Sequence, residues 1–158
     1  MREKGDMIMI YEQIYKKLKD IAGVNNFRDL QIGDFFTVKQ EGFMSLNFEV
    51  LAKDKDSLII SLNHYYKQNG DMVPDPDVVI KITDKYGIAE VLEYQDTYTY
   101  KQVYYTKNSK KYINIKYKEE LNKFLNKWLN ILQKQGFKFN INKQKSPVSY
   151  FSKANKKR

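Results

Sequence analysis

With 158 residues, 42% of them hydrophobic and 15% aromatic, the chain has the material for one domain with a real core and lacks the composition of a disordered protein. It contains no cysteine and a single histidine, which excludes disulfides, thiolate-bound zinc, iron–sulfur clusters, thiol nucleophiles and multi-histidine metal sites. The net charge of +9 is unevenly held: residues 1–100 carry 12 Lys+Arg against 17 Asp+Glu (−5), and residues 101–158 carry 16 against 2 (+14).

Met7, Ile10, Tyr11, Ile14, Leu18 and Ile21 recur at helical spacing. With Asp6 placed as an N-cap and Gly23 as a stop, they predict an amphipathic helix near residues 7–22. The pattern then turns extended. Phe35–Lys39 and Phe43–Lys53 read as strands about the Gln40-Glu41-Gly42 turn, and Gly33-Asp34 reads as a second turn. Asp54-Lys55-Asp56 leads into a strand over Ser57–Tyr66. There Leu58, Ile60 and Leu62 take one side, and His64 falls on that side by period two. Val78, Ile80 and Ile82 alternate in a further strand, closed by the Asp84-Lys85-Tyr86-Gly87 turn. Ile88–Tyr94 and Tyr98–Tyr105 complete a meander, with a short strand over Tyr112–Lys116.

Residues 118–135 carry the clearest helical pattern. Leu121, Phe124, Leu125, Trp128 and Leu132 form an apolar stripe, so Trp128 is a core residue, and Lys123, Lys127 and Lys134 lie nearly opposite. Glu119 and Glu120 suit the positive N-terminus of this helix and Gly136 its C-terminal cap. Phe137–Ile141 reads as a strand or docking segment, and residues 142–158 as a flexible basic tail. The expected architecture is α+β: residues 1–141 form one antiparallel meander sheet of five to seven strands, with the N-terminal and C-terminal helices packed on one face. No leader is visible in Met1 to Lys17, and no apolar run approaches the ~20 residues that span a bilayer, so a soluble, cytoplasmic protein without a membrane partner is expected.

The least ordinary stretch is residues 64–77, His-Tyr-Tyr-Lys-Gln-Asn-Gly-Asp-Met-Val-Pro-Asp-Pro-Asp. It reads as a rigid, carboxylate-rich loop: Gly70 takes a positive φ, and Pro74 and Pro76 force Val73 and Asp75 into extended geometry. Asn69, Asp71, Asp75 and Asp77 offer hard oxygen ligands for Ca²⁺ or Mg²⁺. His64 and Asp77 flank the hairpin and could face each other as base and orienter, so a metal-dependent hydrolase or nuclease would use His64, Asp71, Asp75 and Asp77. Against this, the spacing matches no EF-hand and no second acidic cluster lies near in sequence. The expectation is therefore a structural turn in which aspartates cap backbone N–H groups and His64 is satisfied by a neighbour, with no catalytic residue, no metal and no cofactor.

His64-Tyr65-Tyr66, Gln68-Asn69-Gly70-Asp71 and Asp75-Pro76-Asp77 resemble the signature of an uncharacterised domain found in proteins of phages, plasmids and integrative conjugative elements. Tyr94-Gln95-Asp96 with Tyr100 to Tyr104, and Phe124 to Leu129 ending in Gln135-Gly136-Phe137, resemble two further blocks in the same order. The resemblance spans about residues 27–137 and implies a mobile-element context in a bacterial host, with no activity attached.

The charge split points to an anionic partner. Tyr98, Tyr100 and Tyr104 are expected on one strand face near Lys101, Lys107, Lys110 and Lys111, an arrangement suited to stacking bases and neutralising phosphates. The lysines Lys123, Lys127, Lys134 and Lys138 and the tail residues Lys143, Lys145, Lys153, Lys156, Lys157 and Arg158 extend that surface. The expected function is that of a non-enzymatic accessory protein of a phage or mobile element, binding nucleic acid or a nucleoprotein and acting in an anti-restriction or anti-CRISPR role. The alternatives are the hydrolase above and a structural or assembly protein whose tail docks on an acidic protein surface. The sequence leaves the oligomeric state open.

Overall fold

A computed structural model describes the backbone of residues 2–144 and the side chains of residues 7–142. Its elements run α1 (Arg2–Ala22), β1 (Phe35–Val38), β2 (Leu46–Lys53), β3 (Leu58–Gln68), β4 (Asp71–Thr83), β5 (Ile88–Gln95), β6 (Tyr100–Gln102), β7 (Tyr104–Lys107), β8 (Lys110–Ile113), α2 (Ile115–Lys134) and α3 (Ile141–Gln144). Strands β1 to β6 form one six-stranded sheet in sequence order, every pair antiparallel, and β7 and β8 form a separate two-stranded sheet. The fold is α+β, as the alternation of apolar residues predicts.

One face of the sheet carries the core. Phe48, Ile60, Leu62, Val78, Ile80 and Val91 are each fully buried and meet Ile14 and Leu18 of α1 and Leu125, Leu129 and Leu132 of α2. Asn122 is also fully buried: its Oδ1 accepts the Val91 N–H at 2.8 Å and its Nδ2 donates to the Lys118 carbonyl at 2.7 Å, fastening α2 to β5. A core asparagine is tolerated because both ends of its amide are satisfied. Its position on the helix did not mark it as such a clamp.

Several boundaries differ from expectation. Helix α1 begins at Arg2, so Asp6 lies inside it and is not its N-cap. Strand β2 begins at Leu46, because the Phe43 N–H bonds the Gln40 carbonyl in a turn and Met44 stays exposed. Helix α2 begins at Ile115, three residues early, because the Asn114 side chain accepts the Tyr117 N–H at 2.9 Å; Lys116 is therefore helical. At its other end Gly136, at φ 89°, completes a Schellman motif: Gly136 N–H bonds the Gln133 carbonyl and Phe137 N–H bonds the Leu132 carbonyl. The chain then crosses back as a docking segment, with Phe137, Phe139 and Ile141 buried and the Phe139 N–H on the Ile21 carbonyl at 2.7 Å. Ile141 is buried and residues 141–144 are helical; the rest of the tail expected over residues 142–158 lies outside the described residues.

The stretch expected as one strand from Tyr98 to Tyr105 starts only at Tyr100 and is broken once. Asp96 accepts the Tyr98 and Thr99 N–H groups in a turn, and Val103, fully buried, separates β6 from β7. No helix among the described residues is long and apolar enough to cross a membrane.

Candidate functional site

The signature hairpin is not a loop. β3 and β4 pair from Leu58↔Ile82 out to Gln68↔Asp71, and the turn is the two residues Asn69 (φ 52°) and Gly70 (φ 86°). Both are left-handed, the geometry whose twist matches the flanking strands. Pro74 and Pro76 lie within β4 itself. Pairing of β4 with β5 starts only at Asp77↔Gln95, so the proline-bearing half has a free edge where a missing N–H costs no ladder bond.

This register separates the residues a catalytic reading needs together. His64 is buried on the core face, 5.7 Å from the Trp128 ring and 5.5 Å from the Phe137 ring, and its Nδ1 is 2.8 Å from the Ser45 carbonyl. Asp77 has Asn63 as its cross-strand partner and so points to the opposite face. There its Oδ1 accepts Ser61 Oγ at 2.6 Å and its Oδ2 accepts Tyr65 Oη at 2.7 Å. The expected His64–Asp77 encounter therefore does not occur. Asp71 and Asp75 are exposed, and Asn69 sits in the turn. Among the described residues no three of His, Asp and Glu stand close enough to hold a metal ion.

Asp77 instead ends a polar chain across four strands. Thr37 donates to Asn47 (2.7 Å), Asn47 to Asn63 (3.0 Å), Asn63 to Ser61 (2.8 Å) and Ser61 to Asp77. Sequence alternation marks these residues only as solvent-facing, yet Ser61 and Asn63 are 4% and 5% exposed, so the network pins strand register on the face away from the helices. Asp77→Asn should cost about 1–3 kcal/mol by weakening two charge-assisted bonds at once. Melting with added Mg²⁺, Mn²⁺ or Ca²⁺ should show no stabilisation; a metal-dependent rise that vanishes in Asp71→Asn or Asp75→Asn would restore the hydrolase reading.

The basic residues are arranged differently. Lys123, Lys127 and Lys134 of α2 are exposed, as is Lys138 just beyond it. Lys123 pairs with Glu119 at 2.8 Å and Lys138 lies 3.9 Å from Asp20. Lys127 and Lys134 make no ion pair among the described residues. Lys101 is held inward, on Glu120 at 2.6 Å and 5.2 Å from the Tyr117 ring, which makes it a poor phosphate ligand. Lys110 and Lys111 lie on β8, at the tip of the separate ribbon, with Lys107 opposite Lys110. Lys143 has no described side chain, and Lys145, Lys153, Lys156, Lys157 and Arg158 lie outside the described residues.

The tyrosines do not form the expected stacking row. Tyr98, 94% exposed, stands in the Asp96–Thr99 turn. Tyr100 donates to Glu93 at 2.7 Å, and Tyr104 donates to Glu90 while Lys118 Nζ reaches its hydroxyl at 2.9 Å. Phenols beside carboxylates keep their protons. Burial and then Glu90 push Tyr11 up to about 12; burial and then the bond to Asp84 push Tyr15 up to about 12. Tyr65, Tyr94 and Tyr104 are raised as well, by burial and by their bonds to Asp77, Asp96 and Glu90. A raised phenol pKa favours the neutral folded form, so stability should be intact below the ordinary value near pH ~10 and fall as pH climbs from there toward ~12. Phenolate absorbance should show a late-ionising group whose titration coincides with alkaline unfolding; ionisation of all tyrosines in one early step would contradict these environments.

The family model described as a domain of unknown function (DUF6908) matches residues 9–138, most of the chain, and the chain belongs to that family. The match begins within α1 and ends after the Schellman motif, so it takes in the whole sheet, all of α2 and the greater part of α1. No curated protein and no solved structure matches the chain.

Proposed function

We propose that this DUF6908 member is a non-enzymatic accessory protein of a phage, plasmid or integrative element that binds nucleic acid or a nucleoprotein through its basic C-terminal half. The observation that carries the reading is charge segregation in the fold. Lys116, Lys123, Lys127 and Lys134 are all exposed on α2, and Lys138 follows, against two carboxylates, Glu119 and Glu120. The carboxylates Glu49, Asp77, Glu90 and Glu93 belong to the strands, on residues that alternate with the buried core positions. A one-sided basic surface attracts a polyanion and releases its counterions on contact. The mobile-element context rests on the motif resemblance; within it, the nucleoproteins of host restriction and CRISPR systems are partners of the required charge.

The test is a full-length Lys123→Gln/Lys127→Gln/Lys134→Gln variant. All three side chains are exposed, so thermal stability should stay close to wild type, each change being worth roughly 0.5 kcal/mol or less. Affinity for nucleic acid should fall, and the log–log salt slope should shrink by about 0.9 for each phosphate that the variant no longer neutralises. Unchanged affinity and slope would remove α2 from the interface.

A further inference from the structure

We propose that the β7–β8 ribbon enters the major groove of duplex DNA, with Lys107, Lys110 and Lys111 at its tip contacting phosphates on the groove walls. The inference rests on the nucleic-acid reading above and adds the element, the duplex and the groove.

The ribbon is poorly explained by folding alone. Its cross-strand pairs are Tyr104↔Ile113, Tyr105↔Tyr112, Thr106↔Lys111 and Lys107↔Lys110, and every residue of both strands is exposed. Two lysines sit directly opposite at the tip, with a third next to them, and no Asp or Glu occurs between Asp96 and Glu119. Like charges facing across a ladder disfavour pairing, and a two-stranded hairpin has little stability to spare. The turn adds Asn108 at φ 52° and Ser109 at φ 64°, the latter a left-handed residue that is not glycine. No carboxylate pairs with Lys107, Lys110 or Lys111 among the described residues. A polyanion between the strands' outer flanks would offset the repulsion that the ribbon meets alone.

Two further features select a duplex groove over a single strand. Tyr105 and Tyr112 stack on each other, centroids 5.4 Å apart and planes 18° off parallel, so each ring already has one face occupied. The pair stiffens the ribbon and leaves it less suited to sandwiching bases. The base of the ribbon is fixed: the Val103 N–H bonds the Leu92 carbonyl at 2.9 Å, and the Asn114 N–H bonds the Val103 carbonyl at 2.7 Å. Asn114 is also the N-cap of α2, so the ribbon is joined directly to the lysine-bearing helix. In size, four paired residues reach about 13 Å and the strands lie about 4.8 Å apart. The B-form major groove, about 12 Å wide and 8.5 Å deep, admits such a ribbon. The narrow, deep major groove of A-form RNA does not.

The experiment compares full-length wild type, Lys107→Gln/Lys110→Gln/Lys111→Gln and Lys107→Arg/Lys110→Arg/Lys111→Arg on a guanine-containing DNA duplex. Affinity, salt slope and dimethyl sulfate attack at guanine N7, a major-groove atom, are read together. Wild type and the arginine variant should protect N7. The glutamine variant should melt like wild type, lose N7 protection, bind at least ten-fold more weakly and show a log–log salt slope smaller by about 3. Wild-type binding without N7 protection, full affinity in the glutamine variant, or equal ribbon-dependent binding to double-stranded RNA would each overturn the groove assignment. All three leave the nucleic-acid reading standing, because the α2 variant tests that separately. If wild type binds no nucleic acid at low salt, both fall.

Discussion

Trp128→Ala should destabilise the protein by about 3–5 kcal/mol, as deletion of a large core ring does. Trp128 is 8% exposed and sits in the middle of a chain of rings that spans the core. Tyr94 of β5 meets Phe124 edge-on at 5.3 Å, Phe124 stacks on Trp128 at 6.1 Å, Trp128 meets His64 of β3 edge-on at 5.7 Å, and His64 leans on Phe137 at 5.5 Å. The indole therefore joins α2 to the sheet and, through His64, to the docking segment after α2. Removing it leaves a cavity lined by groups from three elements that cannot all close in together. Lys127→Ala, one residue away and exposed, should stay within about 0.5 kcal/mol of wild type. Chemical denaturation of the two variants checks the contrast; a neutral Trp128→Ala would mean that α2 is not packed through this residue.

Gly23→Ala should cost roughly 2–4 kcal/mol. Gly23 ends α1 with φ +62°, and a Cβ built there would stand 2.5 Å from the Phe139 carbonyl oxygen, a backbone atom that cannot rotate away. The left-handed alanine accounts for about 1 kcal/mol and the overpacked contact for about 1–3. Relief requires the docking segment to move off the end of α1. That sacrifices the Phe139 N–H bond to the Ile21 carbonyl and pulls Phe139 from its edge contact with Phe48 at 5.9 Å. Gly42→Ala separates the two parts. Gly42 has φ +85° but nothing within 4 Å of its Cβ position, so only the conformational part, about 1 kcal/mol, should appear in its melting curve. Equal losses at both positions would show that the close approach at Gly23 does not matter.

Legibility followed the physics of burial. Strands whose core residues alternate, such as Leu58-Ile60-Leu62 and Val78-Ile80-Ile82, and the α2 stripe declare themselves because one face must leave water. The proline-bearing segment reads as a loop because proline breaks a ladder; that it pairs on one side only is a property of where β5 stops, which local sequence does not state. His64 and Asp77 look opposed until the register pairs Asp77 with Asn63 and turns it to the other face. The start of α2 is hidden because Ile115 and Lys116 add nothing to the stripe, and the cap, Asn114, is legible only as one asparagine among many. The network from Thr37 to Asp77 is hidden for a similar reason: polar residues on an open strand face look alike whether they meet water or one another.

Binding of a polyanion by the basic half should show in the affinity of the full-length protein for a DNA duplex between about 50 and 200 mM salt. Six lysines, three on α2 and three on the ribbon, at about 0.9 each predict a log–log slope near −5. A fall in affinity of roughly a thousand-fold across that range is the expected result. A duplex left unbound at low salt, or bound with an affinity indifferent to salt, would contradict the account.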